Sequence, residues 1–402
     1  MVLNQEMQPI TTEKYLPFQL SRARFASVFG SQIEPLVLTG SAQEETNSVC
    51  VWQYNRFNDY GSNVKSSEAV DVDIPTSLTD SSDEPRLVCS ALHVGNVNQL
   101  KTHADSRLIF TGSSMGFVGV YSLNLPETEQ DIFRLHEVGS WSRVPSNLAD
   151  QLRRVDVPIS DVAISSDAGQ VFVANDIGEL FVLDTKTLAV KQHLTVAGLG
   201  YDLSGINAIE SLDASCLVSA NQLGQLNIWD LRSPHTSAIP SKKIVPSGEP
   251  TPLLCLSQHP GQSHLLAVGG VASNYGSGDQ STATTTSYIW DLREERHPLS
   301  EIACRGGTVW EIGFHSHQPQ YLFLATEEAG LMRIHSPAST ANSSWSFQQI
   351  SQKLTSACVT SNPTQYCSVN TFDLAGDFIV CGRDKCTLQT VKDSAFSLLS
   401  FA

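Results

Sequence analysis

Ile228-Trp229-Asp230-Leu231-Arg232 recurs without change as Ile289-Trp290-Asp291-Leu292-Arg293, 61 residues further along the chain. Before the first copy come an apolar run, Cys216-Leu-Val-Ser-Ala-Asn221, a short turn, Gln222-Leu-Gly224, and a second apolar run, Gln225-Leu-Asn-Ile-Trp229. The same phrase is written three more times. Arg107-Leu-Ile-Phe-Thr-Gly112 precedes Gly116-Phe-Val-Gly-Val-Tyr121, and Gln170-Val-Phe-Val-Ala-Asn175 precedes Gly178-Glu-Leu-Phe-Val-Leu183. Tyr321-Leu-Phe-Leu-Ala-Thr326 precedes Gly330-Leu-Met-Arg-Ile-His335. In all four, the glycine (Gly116, Gly178, Gly224 or Gly330) stands five residues before the anchor position. Two apolar runs around a polar turn with glycine form a β-hairpin signature, the glycine supplying the positive φ that the turn needs.

Weaker copies extend the series. Leu36–Gly40 leads to Trp52, Leu265–Gly269 leads to Trp290 after an insertion, and Phe378–Gly382 leads to Val391. The anchors then fall at residues 52, 121, 183, 229, 290, 335 and 391, with gaps of 69, 62, 46, 61, 45 and 56. The two shortest gaps match the period of roughly 40–45 residues expected of a four-stranded propeller blade, and the longer ones are that period plus insertions. Each hairpin also follows an apolar strand: Ile159–Ile164, Ile206–Ile209, Leu253–Leu256, Val309–Phe314 and Val369–Leu374. Runs such as Ser300–Cys304 fit a fourth, outer strand. The expected fold is all-β, a single seven-bladed propeller over residues 13–395, flanked by tails at 1–12 and 396–402. The last unit ends near Val391 and lacks an outer strand. An open edge invites aggregation, so the N-terminal segment Tyr15–Leu20 is expected to close the ring, with Ser21–Ser27 starting the first blade.

Composition sets limits on partners. The chain has 402 residues and a net charge of −16, with 41% hydrophobic and 16% charged residues. It can bury a large core. Its acidity argues against nucleic acid and against an anionic membrane surface, both of which bind through Lys and Arg. No stretch is apolar enough for insertion into a membrane. Nine scattered cysteines without a C-x-x-C read as reduced thiols of a cytosolic or nuclear protein. Residues 58–85 hold seven acids and one lysine and read as an acidic disordered insertion, in which Ser81 and Ser82 are candidates for phosphorylation. Residues 272–286 read as a flexible hairpin tip and 336–367 as a polar insertion.

Candidate chemistry is sparse. Gly112-Ser-Ser114-Met-Gly116 matches a nucleophile elbow, but that motif needs a strand-to-helix turn, and here a strand leads to a strand. His315 and His317 suggest metal, yet His315 occupies the position of His259 in the preceding unit, after the first strand, where a turn is expected. Gly276-Ser-Gly278 lacks the lysine and helix of a phosphate loop. No catalytic residue, cofactor or metal is therefore expected. The Trp229-Asp230 and Trp290-Asp291 pairs read as structural, with the indole packed between blades and the aspartate bonding turn backbone. The exposed Arg232 and Arg293 are the candidate partner-docking residues.

These Trp-Asp pairs in regularly spaced hairpins resemble the WD-repeat family. The pattern departs from it at Trp52-Gln53, Tyr121-Ser122, Leu183-Asp184 and His335-Ser336, and in lacking glycine-histidine dipeptides at the repeat starts. Within that family the chain resembles the WD-repeat nucleoporins of the Y-shaped nuclear pore scaffold. The resemblance is carried by Gly224-Gln-Leu-Asn-Ile-Trp-Asp230, His259-Pro-Gly-Gln-Ser-His-Leu-Leu-Ala-Val-Gly-Gly270, Val309-Trp-Glu-Ile-Gly-Phe-His315 and, most specifically, Ser368-Val-Asn-Thr-Phe-Asp-Leu-Ala-Gly-Asp-Phe-Ile-Val-Cys-Gly382. It implies a non-enzymatic structural subunit of the outer ring at the nuclear envelope. Such a subunit is a monomer within a hetero-oligomer, binding α-helical solenoid and β-propeller nucleoporins. Nucleocytoplasmic transport and a kinetochore role in mitosis go with it. Trp-Asp-x-Arg, present twice, also resembles substrate receptors of cullin-type ubiquitin ligases, the alternative reading.

Overall fold

The computed structural model describes residues 10–26, 36–54, 84–103, 106–126, 132–143, 157–195, 204–232, 240–245, 251–271, 285–294, 296–304, 307–335, 352–353, 368–384 and 386–392. Among them, 28 strands form seven four-stranded antiparallel sheets. Six sheets are consecutive along the chain. The seventh has the order β1-β28-β27-β26, so β1 (Ile10–Tyr15) supplies the outer strand of the blade that ends the chain. Its register on β28 (Thr387–Lys392) runs from Ile10↔Lys392 to Tyr15↔Thr387.

The N-terminal segment thus closes the ring, five residues upstream of the expected span. Pro17 explains the shift, since it has no N–H for a ladder. Leu16 still donates its N–H to the Cys386 carbonyl at 2.7 Å, and the chain then turns into β2 (Gln19–Phe25), the inner strand of blade one. β1 consequently begins inside the segment 1–12 expected to be a tail.

The innermost strands are β2, β6 (Val97–His103), β10 (Ile159–Ile164), β14 (Ile206–Asp213), β18 (Leu253–Gln258), β22 (Val309–Phe314) and β26 (Val369–Ala375). Each packs on the next around the axis, and β26 returns to β2. Seven apolar clusters fill the seven interfaces between blades. This layout follows from the period-two pattern. Both faces of each middle strand are covered, so strands such as β11 (Gln170–Asn175) and β19 (Leu265–Gly270) are apolar along nearly their whole length.

The insertion at 58–85 lies outside the described residues except for Glu84 and Pro85, as do 272–284 of the hairpin tip; Thr285 and Thr286 begin β20 (Thr285–Asp291). Of 336–367, only Gln352–Lys353 is described, as the short outer strand of blade six.

Candidate functional site: the axial channel and its mouth

Every innermost strand carries a β-bulge at the same place. The register slips between Leu20 and Arg22, Val97 and Gln99, Ile159 and Asp161, Ile206 and Ala208, Leu253 and Cys255, Val309 and Glu311, and Val369 and Thr371. A bulge re-aims the side chains beside it. Residues of this bulged stretch, from Arg22 and Ser160 to Trp310 and Glu311, line the axial cavities.

Two positions farther in stitch blade to blade. At the first, Asp161 accepts the N–H of Ile209 (2.7 Å), Glu311 that of Phe372 (2.9 Å) and the Thr371 hydroxyl that of Ala23 (3.4 Å). At the second, Asp373 accepts the N–H of Phe25 (2.8 Å), Ser257 that of Phe314 (3.3 Å) and Glu210 that of Gln258 (3.5 Å). Five of the inner strands thus have N–H groups satisfied by a side chain of the preceding blade.

Arg24 crosses this ring. It is buried, and its guanidinium donates to both Glu311 oxygens (2.5 and 3.3 Å), to the Thr371 hydroxyl (2.8 Å), to the Phe372 carbonyl (3.0 Å) and to Gln99 Oε1 (3.2 Å). Gln99 passes the contact on to Asp161 at 2.6 Å. Burial pushes the Glu311 carboxyl up, but Arg24, Arg22, Lys101 and the Phe372 N–H outweigh it and hold it below its ordinary value. For Asp373, burial prevails over Arg24 and raises it.

The structure places the repeat residues in two different settings. Trp229 is buried between blades four and three, its Nε1 donating to Ser219 Oγ at 2.9 Å. Trp290 is buried between blades five and four, and its Nε1 has no partner among the described residues. Gly116, Gly178, Gly224 and Gly330 have φ of 77°, 83°, 74° and 75°. A Cβ on Gly116, Gly178 or Gly224 would come within 2.9, 2.6 or 2.7 Å of the carbonyl of Val157, Ser204 or Thr251, at the entry to the next blade. These turns and entries share one face, because the strands of each blade alternate in direction.

Asp230 and Asp291 lie at the opposite face and behave alike. Asp230 accepts the backbone N–H of Arg232 (3.0 Å) and its guanidinium (2.9 and 2.8 Å). Asp291 does the same for Arg293 (3.0 Å; 2.5–3.1 Å). The arginine side chains remain 75% and 69% exposed.

The other candidate motifs serve turns. Ser114 Oγ accepts the Asn96 N–H at 2.9 Å, and its segment joins β7 (Ser106–Ser113) to β8 (Phe117–Asn124). His315 Nδ1 accepts the N–H groups of His317 and Gln318 (3.2 and 3.1 Å), as His259 Nδ1 accepts that of Gly261 (3.1 Å). Among the described residues there is no cluster of three metal-ligating side chains, and no helix is long and apolar enough to cross a membrane. The six described thiols are unpaired, and burial pushes Cys381 up to about 12.

The sequence reading missed the channel residues Arg22, Arg24, Gln99, Asp161, Glu311 and Trp310. It also missed His93, which ends the outer strand Arg86–His93 of blade one and reaches blade two, its Nε2 lying 3.0 Å from Thr111 Oγ1. The available signal was a polar residue two places after the first apolar one of an inner strand, as in Ile159-Ser-Asp161 and Val309-Trp-Glu311.

Seven bulged, side-chain-stitched blades around an axis, with two Trp-Asp pairs, define a WD-repeat β-propeller. Its sequence is similar to those of two nucleoporins. The chain is 24% identical to Nucleoporin Nup43 of Mus musculus over 404 residues, covering 92% of this chain and 95% of that protein. It is 25% identical to Nucleoporin Nup43 of Homo sapiens over 380 residues, 86% and 88% of the two chains. A shorter likeness, 20% over 236 residues, joins 56% of this chain to 18% of Restriction of telomere capping protein 1 of Kluyveromyces lactis. No family model matches the chain.

Proposed function

We propose that this chain is a non-enzymatic structural subunit of the outer-ring scaffold of the nuclear pore. It acts as a propeller platform that binds α-helical solenoid and β-propeller nucleoporins as one copy within a hetero-oligomer. It resides at the nuclear envelope and supports nucleocytoplasmic transport, mRNA transport included, with a kinetochore role in mitosis. The supporting observation is that the likeness to nucleoporins runs through nearly the whole length of both chains, and not through the repeats alone. Partner binding comes from folded blade surfaces, since the insertion at 58–85 is too polar and acidic to join an interface core.

Cross-linked affinity purification from nuclear envelopes tests this reading. Pore scaffold subunits are the expected partners; a ligase adaptor and a cullin in their place would overturn it for the Trp-Asp-x-Arg alternative. In that alternative Arg232 and Arg293 would dock through the donors left over from their forks on Asp230 and Asp291. Deleting residues 60–83 should change assembly by no more than about 1 kcal/mol, roughly fivefold in affinity. Loss of nuclear-rim targeting on that deletion, with every blade-edge charge variant still targeted, would refute binding through the blades.

A further inference from the structure

The mouth of the channel holds a cavity of about 530 Å³ lined by Arg22, Ser160, Asn207, Leu254, Trp310, Glu327, Ser368, Asn370 and Asp384. Most of its polar groups are already engaged within the fold. Asn207 donates to the Leu253 carbonyl (2.8 Å), Asn370 donates to Asp384 (2.8 Å) and accepts from Ser368 (2.8 Å), and Glu327 accepts the Thr308 N–H (3.3 Å). Two groups are not. Arg22 spends one donor on its own Ser21 carbonyl (3.0 Å) and forms no ion pair within 4.0 Å among the described residues. The Ser160 hydroxyl oxygen is buried without a partner among them.

Burial disfavours the charge of Arg22, and the nearby carboxylates of Glu311 and Asp161 offset this only in part without using its hydrogens. Asp161 is engaged by Gln99, Val162 N–H and Ile209 N–H. Glu311 is engaged by Arg24 and Phe372 N–H. A guanidinium has five N–H donors in a planar fork, whose complement is a bidentate acceptor. Beside it stands an apolar wall. Where five blades carry Ser21, Asn98, Ser160, Asn207 and Asn370 at the bulge, blades five and six carry Leu254 and Trp310, the tryptophan 42% exposed.

We propose that this mouth is a binding site for a single Asp or Glu side chain on a loop of a partner protein. Its carboxylate seats on Arg22 within reach of Ser160, and a flanking apolar residue lies on Leu254 and Trp310. The rim carboxylates Glu327 and Asp384 limit the occupant to one acid: an acidic tract or a doubly charged phosphate would be repelled there, as it would by the chain's net charge of −16. The site does not depend on which assembly the chain joins.

Random linear peptides displayed on phage, selected on the immobilised full-length protein, test the site without any presumed partner. Enrichment of one Asp or Glu beside Leu, Phe or Trp is expected. Binding should weaken at least about thirtyfold for Arg22→Gln and for peptides with Asn or Gln in place of the acid. Leu254→Glu, on the half-buried wall, supplies an internal carboxylate to Arg22 and should compete in the same way, which keeps the test valid if Arg22→Gln fails to fold. Enrichment of Lys- or Arg-rich peptides, binding indifferent to both substitutions, or no enriched sequence would each overturn the proposal. None of these outcomes bears on the purification test of pore membership.

Discussion

Arg24 of the first blade and Glu311 of the sixth meet at 2.5 Å, the guanidinium reaching past the seventh blade and bonding Thr371 and Phe372 on the way. One side chain thus links the blade that begins the chain to the two that end it, at the seam where the ring is joined. The Phe25 N–H to Asp373 bond also joins the first blade to the seventh, and within the seventh the Arg383–Glu13 ion pair (2.6 Å) ties the N-terminal strand to the C-terminal ones.

Removing one member of such a pair leaves a buried, unmatched charge. Arg24→Leu should therefore destabilise the protein by about 3–5 kcal/mol, and Glu311→Gln by less, because the amide still accepts hydrogen bonds. The pH dependence has a definite sign. The Glu311 carboxyl sits below its ordinary 4.5 in the fold, so its stabilisation is complete above that pH and lost as pH falls through the folded value. The stability gap between the parent and Glu311→Gln should be flat from about pH 8 to pH 5 and narrow below about 4.5. Urea titrations across that range check it; a gap that widened on acidification would contradict the pairing.

Deleting residues 1–15 removes β1 and bares the ladder of β28 from Thr387 to Lys392. An open propeller edge is a template for association. The melting temperature should fall by ~10 °C or more and soluble aggregates should appear on size-exclusion chromatography. An unchanged melting curve would show that closure does not depend on this strand.

Two glycines with positive φ separate conformational strain from crowding. At Gly178, φ is 83° and a Cβ would lie 2.6 Å from the Ser204 carbonyl; at Gly376, φ is 55° and a Cβ would meet nothing within 4 Å. Gly376→Ala should cost about 1 kcal/mol from the left-handed backbone alone, and Gly178→Ala about 3 kcal/mol, because the next blade must move as well. Equal costs in denaturant titrations would refute the close approach.

The two repeated tryptophans should not respond alike. Trp229→Phe strands the Ser219 hydroxyl, whereas Trp290→Phe removes an indole N–H that bonds to none of the described residues. Both lose packing, so both destabilise, but Trp229→Phe should cost about 1 kcal/mol more. Val268 stands in blade five where Ser219 stands in blade four, and Val268→Ser should narrow the difference. Thermal melts of the parent, Trp229→Phe, Trp290→Phe, Val268→Ser and the Val268→Ser/Trp290→Phe double variant measure it.

The sequence by itself determined the blade count, the hairpins and the glycine turns. These are local: period two along a strand, φ > 0 at a turn, and a repeat that cannot bury its faces alone. The identical Ile-Trp-Asp-Leu-Arg copies were legible for the same reason, and both aspartates hold the arginine two residues on. Only the tertiary structure decided how the ring is closed and what its axis contains. Pairing between Ile10–Tyr15 and Thr387–Lys392 spans nearly the whole chain, and composition does not distinguish that strand from Tyr15–Leu20; Pro17 and the register do. Arg24, Gln99, Asp161, Glu311 and Thr371 lie on five different blades, and nothing in the text of the sequence pairs one with another. They become a network, and Arg22 comes to stand above it with only one donor engaged within the fold, because seven bulges turn the same strand positions toward one axis.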